Sequence, residues 1–169
     1  MGAVLQRIRS SKLGGRRPEK SDSGVHLIKV RFQHMPESIS LEESFEQSLH
    51  NFLQWLEVMT MEPVELCDTW GNYNVAWELV TDLNSEGNAV ATMQCSYLTE
   101  EQKQEVLLFL SSLQNVPEAL LVSATSVEAN QKAMSHPSWL PYKKAALALL
   151  QVLNSAAERN KVYFQPNET

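Results

Sequence analysis

Apolar residues recur every three or four positions over long stretches of the chain, which is the spacing of one helix face. From Leu41 to Met59 this pattern predicts an amphipathic helix of about five turns. Ser40 followed by Glu43 is a capping-box pattern that marks the start of the helix. Because the pattern fades before Pro63, we expect the helix to end there. Its apolar positions are Leu41, Phe45, Leu49, Phe52, Leu53, Leu56 and Met59.

A second helix is predicted after the aromatic loop WGNYN (70–74). Asn72 and Asn74 are both favoured N-cap residues, and an apolar stripe follows them over residues 76–83. Gly87 in the run SEG (85–87) is placed for a left-handed C-cap. We therefore expect a helix of about ten residues, which is close to the average length.

The second half of the chain shows further helical signals. Thr99 and Gln102 form another capping-box pattern, and the apolar stripe that follows reaches Leu113. Pro117 suits the first position of a short helix or turn. The remaining predicted helical segments are residues 117–122, residues 126–134, and residues 143–160 after the connection HPSWLPY (136–142).

The segment VHLIKVRFQ (25–33) alternates between apolar and polar residues as a half-buried strand does. A lone strand leaves its backbone groups unpaired, so it must pair with a later extended segment or with another chain. The segments considered as its partners are residues 63–67, 88–95 and 161–165. The predicted fold is mainly α, a compact bundle of about four to five helices with a small β element near residues 25–33.

We expect three regions along the chain, and a cytoplasmic protein. Residues 1–24 are a basic arm, expected to be disordered, residues 25–165 are a single mainly helical domain, and residues 166–169 are a short tail. The arm also has the composition of an organelle transit peptide. It lacks the apolar centre of a secretory signal, and the chain has no apolar run of membrane-spanning length. Two cysteines are too few for a disulfide scaffold and indicate reduced thiols.

Charge is distributed unevenly along the chain, whose formal net charge is −6. Residues 32–131 contain sixteen acidic residues and one basic residue, Lys103, for a charge of −15. Such a surface repels nucleic acid and attracts a basic protein, although it also serves solubility alone. We therefore expect no nucleic-acid binding by the folded body and a basic protein as its partner.

The run CDTWGNYNVAWE (67–78) contains three aromatic and two acidic residues. The residues considered as a ligand- or partner-binding site there are Asp68, Trp70, Tyr73, Trp77 and Glu78. The alternative is that the rings pack over the start of the helix and fix the entry of the chain. Trp139, flanked by Pro137 and Pro141, is either an exposed anchor for a partner or a core residue.

Motifs for catalysis and cofactor binding do not appear in the sequence. The histidines show no metal-ligand spacing, and there is no CxxC, GxSxG, GxGxxG or phosphate-binding loop. Neither Cys67 nor Cys95 has a neighbouring histidine, and nearby acids raise a thiol's pKa, so both are interpreted as inert. We expect no catalytic residue, no metal and no cofactor.

Two hypotheses of function follow from these observations. The first is a non-enzymatic acidic interaction module, such as an inhibitor or an immunity-type protein that binds a basic partner. The second is a small-ligand-binding protein or enzyme with a site near Asp68–Glu78. The runs WELVTDLNSEG (77–87) and LTEEQKQEVLLFLSSLQNVP (98–117) resemble those of small bacterial proteins, a resemblance that implies no function.

Overall fold

The computed structural model describes residues 38–70, 74–122 and 126–165, except for the side chains of residues 69 and 70. Its helices are α1 (Leu41–Thr60), α2 (Pro63–Trp70), α3 (Val75–Thr92), α4 (Glu100–Leu113), α5 (Glu118–Leu121), α6 (Val127–Met134), a 3₁₀ turn (Pro137–Trp139), α7 (Leu140–Val152) and α8 (Asn154–Phe164). The described residues fall in one compact unit that begins at Ser38. The predicted boundary at residue 24 lies outside the described residues, so the division into arm, domain and tail stays a prediction.

The prediction of a mainly α fold is confirmed, but the described helices are more numerous than the four to five expected. The predicted strand at residues 25–33 lies outside the described residues. Its considered partners are helical instead, since residues 63–67 lie in α2, residues 88–92 in α3 and residues 161–164 in α8. Among the described residues there is no strand, so the small β element receives no support from them.

α1 is the central helix, because α3, α7 and α8 all pack against it. Its predicted apolar face is buried as expected, apart from Leu41, which is exposed at the first turn. Ser40 caps the helix by accepting a hydrogen bond from the Glu43 backbone N–H at 3.0 Å. At the start of α4 the capping box is complete, with bonds in both directions between Thr99 and Gln102.

α3 is longer than predicted, because it continues through Gly87 to Thr92. The C-cap assigned to Gly87 was wrong. A Cβ atom at this position would lie 2.8 Å from Leu110 Cδ2 and 2.8 Å from Phe52 Cε2, closer than side chains normally approach. The glycine therefore lets α1 and α4 pack directly against the backbone of α3.

The single helix predicted over residues 143–160 is two helices in the structure. The chain turns at Leu153, whose φ of −86° and ψ of 1° leave the regular helical values. The Leu153 side chain is fully buried, so the turn inserts it into the core. α8 then returns to pack on α1, where Asn160 and Arg159 hold the buried carboxylate of Glu46. None of the described helices has both the length and the apolar character needed to cross a membrane.

Candidate interaction site

α1 and α3 together form an acidic surface with a cleft between their outward faces. On α1, Asn51, Trp55 and Val58 follow one another at intervals of four and three residues, so they share a face. On α3, Asp82 and Glu86 are four residues apart and share the facing stripe. The cleft encloses about 590 Å³ and is lined by Asn51, Gln54, Trp55, Glu57, Val58, Met61, Asp82 and Glu86.

Three carboxylates meet at this cleft, from Glu57, Asp82 and Glu86. None of the three forms an ion pair with a residue in the described part of the chain. Burial, and then the negative charge of Glu86, raises the pKa of the Asp82 carboxyl above its ordinary value. Asp82 is thus a partly desolvated carboxyl beside a second negative charge, and a bound cation would stabilise its ionised form.

Amide side chains orient one of these carboxylates. Asn51 Nδ2 donates a hydrogen bond to Glu86 Oε1 at 3.3 Å, and Gln47 Nε2 donates to Asn51 Oδ1 at 3.0 Å. On the far side of this bridge lies a second cleft of about 340 Å³, which shares Asn51 and Glu86 with the first and extends to Glu43 and Ile39. The acidic surface therefore continues along α1 on both sides of the bridge.

Neither α1 nor α3, nor α2 between them in the chain, contains a lysine or an arginine. Residues 41–92 contain ten acidic residues and no lysine or arginine. The pKa of Lys161 on α8 is raised mainly by its hydrogen bond to Glu158, at 2.8 Å, and least by the charge of Glu57. Lys143 on α7 lies at the Met61 end of the cleft, where its Nζ donates to the Met61 carbonyl oxygen at 2.6 Å. The field is therefore negative along the rest of the cleft, around Glu57, Asp82 and Glu86.

Of the residues in the run 67–78 that the sequence proposed as a site, the structure describes the side chains of Asp68, Trp77 and Glu78. Asp68 is exposed on α2 and its Oδ1 accepts a hydrogen bond from Gln131 Nε2 at 3.3 Å. Trp70 ends α2, but its side chain, like the whole of Tyr73, lies outside the described residues. Trp77 is 52% exposed on α3. Glu78 stands four residues before Asp82, so it extends the acidic stripe of α3.

Trp139 belongs to the core. It is 1% exposed, and its indole N–H donates to the Ala133 carbonyl oxygen at 2.9 Å. The Tyr142 ring packs edge-on against it, with 6.0 Å between the ring centroids. An anchor for a partner has to be accessible, so the buried Trp139 does not belong to the candidate site.

Sequence reasoning missed Trp55, Glu57, Asp82 and Glu86, which line the cleft. A signal for part of it was present, because Glu78, Asp82 and Glu86 recur every four residues. Because Gly87 was assigned as a C-cap, the predicted helix ended just after Glu86, and the three residues were not recognised as one acidic stripe. The pairing of α3 with α1 depends on contacts between distant parts of the chain, and no local pattern reports it.

The two thiols show no arrangement for nucleophilic catalysis. Cys67 is fully buried, and burial, followed by the charge of Asp68, raises the pKa of its thiol. Cys95 is half-buried, and its Sγ donates to the Leu41 carbonyl oxygen at 3.1 Å. Within the described residues, no group of three or more His, Cys, Asp or Glu side chains is arranged to hold a metal ion.

Comparison of the chain with protein-family models, with curated proteins and with solved structures gives no match. The site therefore has to be interpreted from its own geometry and charge.

Proposed function

We propose that this protein is a non-enzymatic interaction module that binds a basic segment of a partner protein in the α1/α3 cleft, as an inhibitor or immunity-type protein does. The observation that carries the proposal is the cluster of three carboxylates around a half-buried indole in an open cleft of about 590 Å³. The free thiols Cys67 and Cys95 suit a reducing compartment, so we place this interaction in the cytosol.

The lining of the cleft matches the chemistry of lysine and arginine side chains. Their charged heads are attracted by carboxylates and by the face of an indole such as Trp55. Their methylene stems pack against apolar surface, which Val58 and Met61 provide in this cleft. A cation beside Asp82 would also offset the burial and the negative charge of Glu86, which together raise the pKa of its carboxyl.

The test is the affinity of the full chain for a fluorescent lysine- and arginine-rich peptide, measured by anisotropy at about 50 mM and about 500 mM NaCl. We expect the double variant Asp82→Asn/Glu86→Gln to bind at least about tenfold more weakly at low salt, because two close charge contacts are lost. The matched control is Glu118→Gln/Glu128→Gln, which removes the same charge from exposed positions on α5 and α6.

The comparison of the two double variants decides the proposal. An equal loss of affinity in both would show that only net charge attracts the peptide, and that the cleft is not the site. If the cleft variant alone is affected, a pull-down from lysate of the source organism, washed at the same two salt concentrations, should retain a basic protein at low salt and lose it at high salt.

A small ligand or substrate near Asp68–Glu78 is the second candidate function. It is favoured by the exposure of Trp77, a large aromatic side chain directly before Glu78 on the acidic stripe. A thermal-shift screen of the full chain with small amines, metabolites and metal ions tests it. We would expect any stabilisation at this site to be reduced in Trp77→Ala, a variant that should fold because the side chain is half exposed.

A further inference from the structure

Exposed aliphatic side chains occur on both α4 and α7. Two of them, Leu108 at 55% exposure and Val152 at 42%, line a groove between the two helices. Exposed apolar side chains that join an apolar groove form a continuous surface typical of an interaction site, whereas single ones are ordinary.

The groove is shallow and mostly apolar. It encloses about 250 Å³ and is lined by Glu105, Leu108, Phe109, Ser112, Ala145, Ala148, Leu149 and Val152. The small side chains of Ala145 and Ala148 leave space opposite Leu108 for a side chain of another molecule. We call this groove, with its flanking residues Glu101, Lys144 and Leu147, the α4/α7 face.

The α4/α7 face has opposite charges at its two ends. Gln102 Nε2 donates to the Val152 carbonyl oxygen at 3.0 Å, so the start of α4 lies beside the end of α7 and the two helices run antiparallel. Glu101 and Glu105 therefore lie at one end of the face, and Lys144, near the start of α7, lies at the other. Lys144 is exposed and forms no ion pair with a described residue.

We propose that the α4/α7 face binds a second copy of this chain across a twofold axis that passes near Leu108 and Ala148. In a twofold interface the same surface is used by both copies, so each contact occurs twice. A face with an acidic end and a basic end matches itself under this symmetry, and Glu105 of each copy meets Lys144 of the other. The apolar groove lies at the centre, where Leu108 of each copy packs against the alanines of the other.

The distribution of charge favours a second copy of the chain as the molecule that binds this face. The chain has a net charge of −6, and residues 41–92 contain ten acidic residues and no lysine or arginine, so two copies repel each other in most orientations. Lys144 gives the α4/α7 face a positive end. Two antiparallel helices about 20 Å long present a face at the small end of specific interfaces, so we expect a dimer with a micromolar dissociation constant.

This inference is independent of the proposed function, because it concerns different helices from the α1/α3 cleft. Analytical ultracentrifugation of the full chain from about 1 µM to about 200 µM, a range that brackets a micromolar dissociation constant, tests it. We expect a concentration-dependent monomer–dimer equilibrium. Leu108→Ser, an exposed change that should leave folding intact, is expected to weaken the dimer at least about tenfold because it removes the central apolar contact on both sides of the axis.

A charge swap identifies the contact itself. Glu105→Lys alone and Lys144→Glu alone should each weaken the dimer at least about tenfold, because each turns two attractive contacts into repulsive ones. The double variant restores opposite charges and should recover an affinity within about threefold of the original. Glu118→Lys and Lys132→Glu, both exposed on α5 and α6, are the controls and should leave the equilibrium unchanged.

Two results would overturn the proposal. One is a chain that stays monomeric at the highest concentration. The other is a dimer whose affinity does not respond to Leu108→Ser or is not recovered by the double charge swap, because such a dimer uses another surface. Circular dichroism of each variant checks that its helices are intact.

Discussion

Glu46 is a charged residue that folding has buried, and its contacts explain why the fold tolerates it. The side chain is 2% exposed. Asn160 Nδ2 donates both to Glu46 Oε2 at 2.7 Å and to the Glu46 carbonyl oxygen at 2.8 Å. Arg159 Nε donates to Oε1 at 3.2 Å, and its Nη2 lies 3.1 Å from the same oxygen without the alignment of a hydrogen bond. Burial of the carboxylate is thus compensated by groups of α8.

Replacing Asn160 with alanine tests this compensation. Asn160→Ala leaves a buried carboxylate oxygen and a backbone carbonyl with fewer donors, so we expect the free energy of unfolding to fall by about 1–3 kcal/mol. Urea denaturation measures the change. Gln151→Ala, at an exposed position of α7, is the control and should change stability by less than about 0.5 kcal/mol. An Asn160→Ala protein as stable as the original would mean that water replaces the lost donors.

Asp82 predicts a specific dependence of stability on pH. Burial and the charge of Glu86 raise the pKa of its carboxyl in the folded state, so the folded protein binds this proton more tightly than the unfolded chain does. This residue's contribution to stability therefore decreases as the pH rises from the ordinary aspartate pKa through the raised one. Asp82→Asn removes the contribution.

The measurement for Asp82 is the free energy of unfolding of both proteins by urea between about pH 3 and about pH 7, which spans the ordinary pKa of an aspartate. The stability of Asp82→Asn relative to the original should increase with pH across that window and then level off. Glu118→Gln, exposed on α5, serves as the reference for a generic loss of one charge. A relative stability that falls with pH would contradict the direction of the pKa shift.

At the scale of helices, the first residues of the helices were predicted more accurately from the sequence than the last ones. Ser40 and Thr99 start α1 and α4 as expected, because a capping side chain bonds to a backbone N–H only three residues away. The end of α3 and the break between α7 and α8 were missed. They are decided by Gly87 and Leu153, whose surroundings come from distant parts of the chain.

Gly87 permits a direct test of one such distant contact. Gly87→Val places side-chain atoms where Leu110 and Phe52 already lie 2.8 Å from a Cβ position, so we expect destabilisation of about 1–3 kcal/mol from overpacking. Ser85→Val adds the same side chain to an exposed position of the same helix and should cost less than about 0.7 kcal/mol. Equal thermal-unfolding midpoints for the two variants would show that the core around Gly87 adjusts freely.

The candidate site was only partly predictable for the same reason. Glu78 was identified from the sequence, and the structure places it on the α3 stripe with Asp82 and Glu86. Trp77 was identified beside it and is exposed, but the cleft instead uses Trp55, which was not among the residues considered as a site. Amphipathic periodicity distinguishes a buried face from an exposed one. It does not show which exposed faces of two helices meet.

At the scale of the whole molecule, the distribution of charge works against the folded state. Residues 41–92 contain ten acidic residues and no lysine or arginine, and folding packs α3 against α1. One of these ten, Glu46, is paired with Arg159. Repulsion among the rest lowers stability and is reduced when salt screens it.

We therefore expect the thermal-unfolding midpoint of the full chain to rise by several degrees between about 20 mM and about 500 mM NaCl, because the Debye length falls from about 20 Å to about 4 Å. Asp82→Asn/Glu86→Gln should be more stable at low salt and show a smaller rise, whereas Glu118→Gln/Glu128→Gln should retain most of the original dependence. A midpoint that falls with salt would mean that favourable ion pairs dominate. In that case the acidic residues of the cleft would not repel one another strongly enough to favour the binding of a basic partner.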